Sequence, residues 1–179
     1  AGVVRAHVKA KELGFRLVVG CRLDLVEGIS LLCWPTDRPA YARLSTLLTL
    51  GKRRAAKAQC RLTLDDVAAH SEGQLLALVA DRTTDVRGLA RLRERWPGRL
   101  WLALSHGFAG DDAARLEHLA AVAAAARVPL LATNDVHYHD PARRPLQDVV
   151  TCIREHTTLA AAGARLFANA ERHLKPPVE

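Results

Sequence analysis

The 179-residue chain is 49% apolar and 25% charged, a balance that reads as one globular domain with a core of its own. No apolar run approaches the roughly 20 residues of a membrane span and no signal-peptide pattern opens the chain; no membrane partner is expected. The formal charge of +7 is carried mainly by arginine and fits either an acidic partner such as nucleic acid or a plain solvated basic surface.

Cys21, Cys33, Cys60 and Cys152 are far apart with no C-x-x-C pair. That spacing suits reduced thiols in a cytoplasmic protein better than a disulfide frame or a zinc knuckle. The sequence has no Met and opens on AGVVRAHVKAKELG, a helix already under way, while ERHLKPPVE stops just after a turn signal. A piece of a longer protein is expected.

In chain order, Val3, His7, Ala10 and Leu13 stand at helical spacing, and Gly14 can end that helix in a left-handed turn. Leu17 to Leu25 alternates as a strand, with Leu17, Val19, Cys21, Leu23 and Leu25 on one face. Ile29 to Trp34 follows, and Glu27-Gly28 predicts a hairpin between them. Pro35-Thr36-Asp37 punctuates before a helix with Tyr41, Leu44, Leu47 and Leu48 on one side. The basic segment 51–61, GKRRAAKAQCR, is expected to be a solvated loop or helix end. Its Lys52, Arg53 and Arg54 are candidates for contact with a phosphate backbone, the other reading being plain surface.

Asp65-Asp66 opens a short helix through His70, Leu75 to Val79 is an apolar strand, and Thr84 or Asp85 caps a helix to Trp96 with Leu89 and Leu92 inward. Leu100 to Leu104 is another strand, with Ser105-His106-Gly107 at its exit. Asp111 or Asp112 then caps an Ala-rich helix whose buried stripe is Leu116, Leu119, Ala120 and Ala123. The order of strand then helix predicts an α/β sheet of mostly parallel strands, with polar residues at the C-terminal strand ends lining the ligand site.

The stretch PLLATNDVHYHD, residues 129–140, concentrates the chemistry. Taken as a buried strand from Leu130 to His139, its period of two sends Asp135, His137 and His139 to one side. A carboxylate and imidazoles there are metal-ligand types. Asp140-Pro141 then starts a helix expected to carry Leu146, Val149, Val150 and Ile153 inward, with Arg143 and Arg144 in its first turn. Residues 151–177 read as short helical pieces and turns that contribute packing. The surface reading is preferred for His70, His118, His156 and His173.

The runs LLATNDVHYHDPARRPLQDVVTCIREHTT and ANAERHLKPP, with LVVGCRLDL, LLCWPTDRPAYARL and GKRRA, resemble the PHP (polymerase and histidinol phosphatase) domain of bacterial C-family DNA polymerases. The nearest likeness is to the error-prone, translesion type. The resemblance covers essentially the whole chain. It implies an incomplete distorted (β/α)7 PHP barrel of mostly parallel strands, about seven when whole, lacking its N-terminal strands. Residues 1–140 would be the barrel, and 141–179 the end of the PHP region and a helical link toward the polymerase domain.

In members with an intact site the barrel holds metal ions that support phosphoester hydrolysis, including 3'-5' proofreading. The resemblance places two ligands at Asp135 and His137, with His106 a further vestigial candidate. Where the family has a Glu this chain has Arg22, whose guanidinium cannot ligate a metal and would repel one. Other expected ligands fall near Gly28 and Ala80, and two ligands cannot hold a multinuclear cluster. The expectation is a degenerate, structural site in which Asp135 pairs with Arg22 across the barrel mouth.

No cofactor is then expected in this segment. Zn or Mn enters only if the PHP site functions, and Mg belongs to the parent polymerase domain. The expected partners are the rest of the polymerase chain, DNA through that parent, and other translesion-synthesis proteins. The segment alone is expected to be inactive. Two other classes compete with the structural module: a metal-dependent phosphoesterase or exonuclease, and a DNA-binding module using residues 51–61.

Overall fold

Gly28 sets up the first pair of strands. In the computed structural model, which describes residues 2–81, 83–108 and 110–176, the strand β1 (Cys21–Asp24) turns back through Val26, Glu27 and Gly28 into β2 (Ser30–Pro35). Gly28 has φ +81°. Its N–H donates to Leu25 O at 3.0 Å, and Leu25 N–H donates to Ile29 O at 2.9 Å. This three-residue hairpin loop ends in a left-handed residue, a conformation glycine adopts without a Cβ penalty.

The helix α1 (Gly2–Glu12) precedes the hairpin. It ends as its sequence predicts: Gly14 has φ +63°, and the N–H groups of Gly14 and Phe15 return to Lys11 O and Ala10 O at 3.4 and 2.8 Å, the bonding of a left-handed C-cap. Among the α1 residues placed at helical spacing only Ala10 is buried; Val3 and Leu13 are exposed. The alternation expected from Leu17 onward becomes strand only at Cys21, where Leu23 and then Leu25 are buried while Leu17 lies open.

Caps written in the sequence start the next helices. Asp37 accepts from Ala40 N at 2.7 Å and begins α2 (Arg38–Arg53). Thr63 and Asp66 form a reciprocal capping box at α3 (Leu64–Ala69), satisfying two backbone donors that a helix start leaves unpaired. Asp85 accepts from Gly88 N at 2.7 Å at the start of α4 (Val86–Arg95). The strand β3 (Gln74–Val79) lies between α3 and α4. After α4 come β4 (Leu100–Leu104), α5 (Asp112–Ala126) and β5 (Leu130–Ala132).

The five strands form one sheet in the order β1-β2-β3-β4-β5. The first two pairings are antiparallel and the last two parallel. The sheet is therefore mixed, where mostly parallel strands were expected. Connection length explains part of this: a three-residue turn permits only antiparallel pairing of β1 with β2, and α4 and α5 supply the crossovers that the parallel neighbours need, whereas β2 and β3 pair antiparallel although α2 and α3 lie between them. Among the described residues the sheet is open, with β1 and β5 at its edges.

Central strands β3 and β4 are buried on both faces, at Leu76, Ala77 and Leu78 and at Leu100, Leu102 and Ala103, as strands covered on two sides are. Leu23, Leu31, Leu47, Leu62, Leu89 and Trp96 complete the core. Gln74 lies within it. Its Nε2 donates to Ala40 O at 2.7 Å and its Oε1 accepts from Cys33 Sγ at 3.3 Å, so the buried amide joins β3 to α2 and β2 without an unmet polar group. In α5 the buried stripe is Leu119, Val122, Ala123 and Ala126, rotated from the expected one, with Leu116 and Ala120 only half-buried.

The helix α6 (Arg144–Arg154) follows a 3-10 turn at Pro141–Arg143, which Asp140 caps by accepting from Ala142 N at 2.8 Å. A short helix, α7 (Leu159–Ala162), comes next. The expected orientation of α6 is reversed. Thr151 and Cys152 are its buried residues, while Leu146, Val149, Val150 and Ile153 are 58%, 40%, 48% and 69% exposed. No helix among the described residues is long and apolar enough to cross a membrane.

Candidate functional site

Among the described residues β5 has one sheet partner, β4, through the register Leu102↔Leu130 to Leu104↔Ala132. The expected strand from Leu130 to His139 stops at Ala132, and Leu130 is 46% exposed at the sheet edge. Thr133 N–H still donates to Leu104 O at 2.8 Å. Asp135 then enters the left-handed region at φ +42°, which Asp tolerates better than most residues. The period-two argument for Asp135, His137 and His139 therefore fails.

The 171–174 segment replaces the missing sheet pairing. Asn134 Nδ2 donates to the carbonyls of Glu171 and His173 at 3.0 and 2.6 Å. His137 N–H donates to Arg172 O at 2.9 Å and Leu174 N–H to Tyr138 O at 3.0 Å, forming a parallel bridge between Tyr138 and His173. The tail is also tied to the exit of β4, where Asn169 Nδ2 donates to Gly107 O at 2.7 Å.

This return places Arg172 against the two expected metal ligands. Its Nη1 donates to Asp135 Oδ2 in an ion pair, and its guanidinium lies 4.1 Å from the centre of the Phe167 ring. His137 meets the same ring edge-on at 4.8 Å and has Nε2 3.7 Å from Asp135 Oδ2. Arg144 Nη2 donates to Phe167 O at 2.6 Å, holding the ring's backbone. Arg172 and Phe167 were missed in the sequence, although both lie in or beside the tail that carried the family likeness. Nothing in their spacing, five residues apart, signalled that they would meet Asp135 and His137.

The expected pair between Asp135 and Arg22 is not formed. Arg22 is on β1, the opposite edge strand from β5. Its Nε donates to Asp24 Oδ1 at 2.8 Å and its Nη2 to Ser30 Oγ at 3.0 Å across the hairpin. Burial pushes the Asp24 carboxyl up, but the Ser30 hydroxyl and the Arg22 guanidinium outweigh it and hold the group below the usual carboxylate range. A local partner two residues away wins over a distant one because less chain must be ordered to reach it.

His106 is not brought into the same hollow as His137. It lines a hollow of about 520 Å3 with Leu104, Leu130, Asn134 and Lys175 and contacts Phe108 edge-on at 4.3 Å. Lys175 Nζ pairs with Glu171 at 2.5 Å. That bond lowers the Glu171 pKa, with smaller help from His173 and His106. His137 and His139 line a second hollow, beside α6. Among the described residues no three His, Cys, Asp or Glu side chains converge on a point that could hold a metal. Asp135, facing a guanidinium, does not fit a metal-cluster ligand.

In the basic segment, Lys52 and Arg53 form the exposed last turn of α2, where positive charge suits the helix dipole. Arg54 is occupied differently. Its Nη1 donates to both Asp66 oxygens at 2.8 and 2.7 Å. The four cysteines are free thiols. Burial, with a smaller effect of a neighbouring thiol, pushes Cys21 up to about 11 and Cys33 up to about 12, so neither is a thiolate nucleophile at neutral pH.

No protein-family model matches the chain. Individual relatives do, over its full length. It is 50% identical to an error-prone DNA polymerase of Caulobacter vibrioides across 183 residues, 46% to error-prone DNA polymerase 1 of Agrobacterium fabrum across 181, and 49% to an error-prone DNA polymerase of Brucella abortus across 188. All of this chain is matched each time, against 17%, 17% and 18% of the relative. From end to end this chain is similar to one segment of error-prone DNA polymerases, and it spans under a fifth of the length of these curated relatives.

Proposed function

We propose that this chain is the PHP region of an error-prone, DNA-directed DNA polymerase acting in replication, repair and damage bypass, and that its PHP site is degenerate and structural. Residues 1–140 form the barrel portion and 141–179 its end and the link toward the polymerase domain. The nucleotidyl-transfer chemistry, with its Mg ions, belongs to the remainder of that polypeptide, and this segment alone is inactive. Contacts with DNA and with other translesion proteins come through the parent.

The observation that carries the reading is the ion pair between Arg172 and Asp135, with Phe167 stacked on the guanidinium and against His137. A cation already holds the carboxylate that the resemblance makes a metal ligand. An arginine has no lone pair to offer a metal, and its positive charge opposes a second cation at the same oxygen. The group neutralising Asp135 is thus part of the fold and stitches residues 134–138 to 171–174.

Thermal unfolding of the full-length polymerase with added Zn2+ or Mn2+ tests this. The expected outcome is the same response of the melting temperature to added metal in the parent sequence and in Asp135→Ala. A metal-dependent rise that disappears in Asp135→Ala would establish the phosphoesterase reading in its place, because a ligand that binds only the native state raises its stability.

A further inference from the structure

α6 is amphipathic with its sides exchanged. Polar or small residues face the rest of the chain: Thr151 and Cys152 are buried, and Arg144 and Asp148, an ion pair at 3.6 Å, are half-buried or nearly so. The outward face carries Leu146, Val149, Val150 and Ile153, each at least 40% exposed. Their spacing of i, i+3, i+4 and i+7 is that of a stripe meant for burial. α2, α4 and α5 bury aliphatic residues at comparable spacing. Monomeric proteins rarely leave a contiguous apolar patch without a use for it.

A second observation adjoins the stripe. A hollow of about 270 Å3 lies beside α6, lined in part by Leu146, Val150, Arg143 and Tyr138. Tyr138 is 8% exposed, and its buried hydroxyl has no hydrogen-bond partner among the described residues. A buried hydroxyl without a partner is costly. That hydroxyl is closed off within the chain, out of reach of a docked segment, so what the hollow asks of whatever covers the stripe is an aliphatic or aromatic side chain.

We infer that the outward face of α6, with the Tyr138 hollow, is the docking surface for another part of the same polymerase polypeptide. This rests on the reading of the chain as a segment of a longer polymerase, of which the matched region is 17% in the relatives. Covalent connection favours that occupant. A tethered segment meets the stripe at an effective concentration on the order of millimolar, so four aliphatic side chains are enough. A stable dimer would need about 800 Å2 and some 20–30 residues from each partner, well beyond this single-helix stripe.

Thiol accessibility in the full-length polymerase tests the inference. Ile153→Cys should react with a maleimide at least about tenfold more slowly than Arg87→Cys, a control on the exposed face of α4. Hydroxyl-radical footprinting of the unsubstituted polymerase should show Leu146 and Ile153 protected, which guards against a variant that perturbs the fold. Equal labelling rates with unprotected side chains would overturn the inference. So would protection that grows with protein concentration, since it would make a second copy the occupant. The metal titration is an independent readout: protection together with metal-dependent stabilisation would keep this interface and remove the structural reading of the PHP site, and the opposite pair of results would do the reverse.

Discussion

Asp66 does two things with one carboxylate. It accepts from Thr63 N at 2.9 Å, the bond that completes the capping box of α3, and it binds Arg54 through both oxygens. The Thr63 backbone bond is the largest influence on its pKa and lowers it. Burial works against that bond, while Arg54 and the Thr63 hydroxyl reinforce it, so the group stays below the usual carboxylate range. Asp66→Ala is expected to cost about 1–2 kcal/mol in a urea titration, the size of a lost helix cap with its hydrogen bonds. The pH dependence has a definite sign. The folded pKa lies below the unfolded one, so the stabilisation is fully present above the ordinary carboxyl value of about 4 and is lost as pH falls from there through the folded value. Asp66→Asn should correspondingly flatten the acid limb of the stability curve.

At the scale of the element, capping was legible in part and facing was not: the cap expected from Asp111 or Asp112 at α5 is not made, Asp111 forming no side-chain cap bond, and the N-cap of α3 is Thr63 with Asp66 in the box. Asp37, Asp85 and Asp140 start helices where their residue type and position indicate, because a cap needs only neighbours three or so residues away. The stripe of α6 was equally visible, but periodicity defines two faces without saying which one the rest of the fold covers. Arg144 settles it by reaching Phe167 O, 23 residues away. The same limit explains Asp135. The candidate ligand could be read from N-D-x-H, while its partner, Arg172, arrives only when the tail folds back over 37 residues.

α5 offers a test of local geometry. Its end is the left-handed residue Arg127, φ +55°, with Arg127 and Val128 N–H groups returning to Ala124 and Ala123 carbonyls at 3.1 and 2.9 Å. This is the position helices usually give to glycine, since a side chain in that conformation costs about 1 kcal/mol. Arg127→Gly should keep both bonds and raise stability by about 0.5–1 kcal/mol in thermal or urea unfolding, less whatever entropy the unfolded chain regains.

For the molecule as a whole, net charge is a poor guide to which basic residues are free to meet a phosphate backbone. The segment singled out for its basic residues divides in the fold: Arg54 is bound to Asp66, and Lys52 and Arg53 terminate a helix in solvent. Replacing Lys52 and Arg53 with Ala in the polymerase is expected to leave the salt dependence of DNA binding unchanged. Each phosphate contact contributes about 0.9 to the slope of log affinity against log salt, so a slope smaller by about 2 would assign both residues to the DNA backbone.

The return of the tail also bears on how the protein opens. Residues 134–138 and 171–174 hold each other through the Asn134 amide and through backbone bonds from His137 to Arg172 and from Leu174 to Tyr138. Neither segment keeps these bonds if the other leaves. In hydrogen-exchange terms they are expected to open as one cooperative unit, with the amides of His137 and Leu174 showing the same opening free energy despite their distance in sequence.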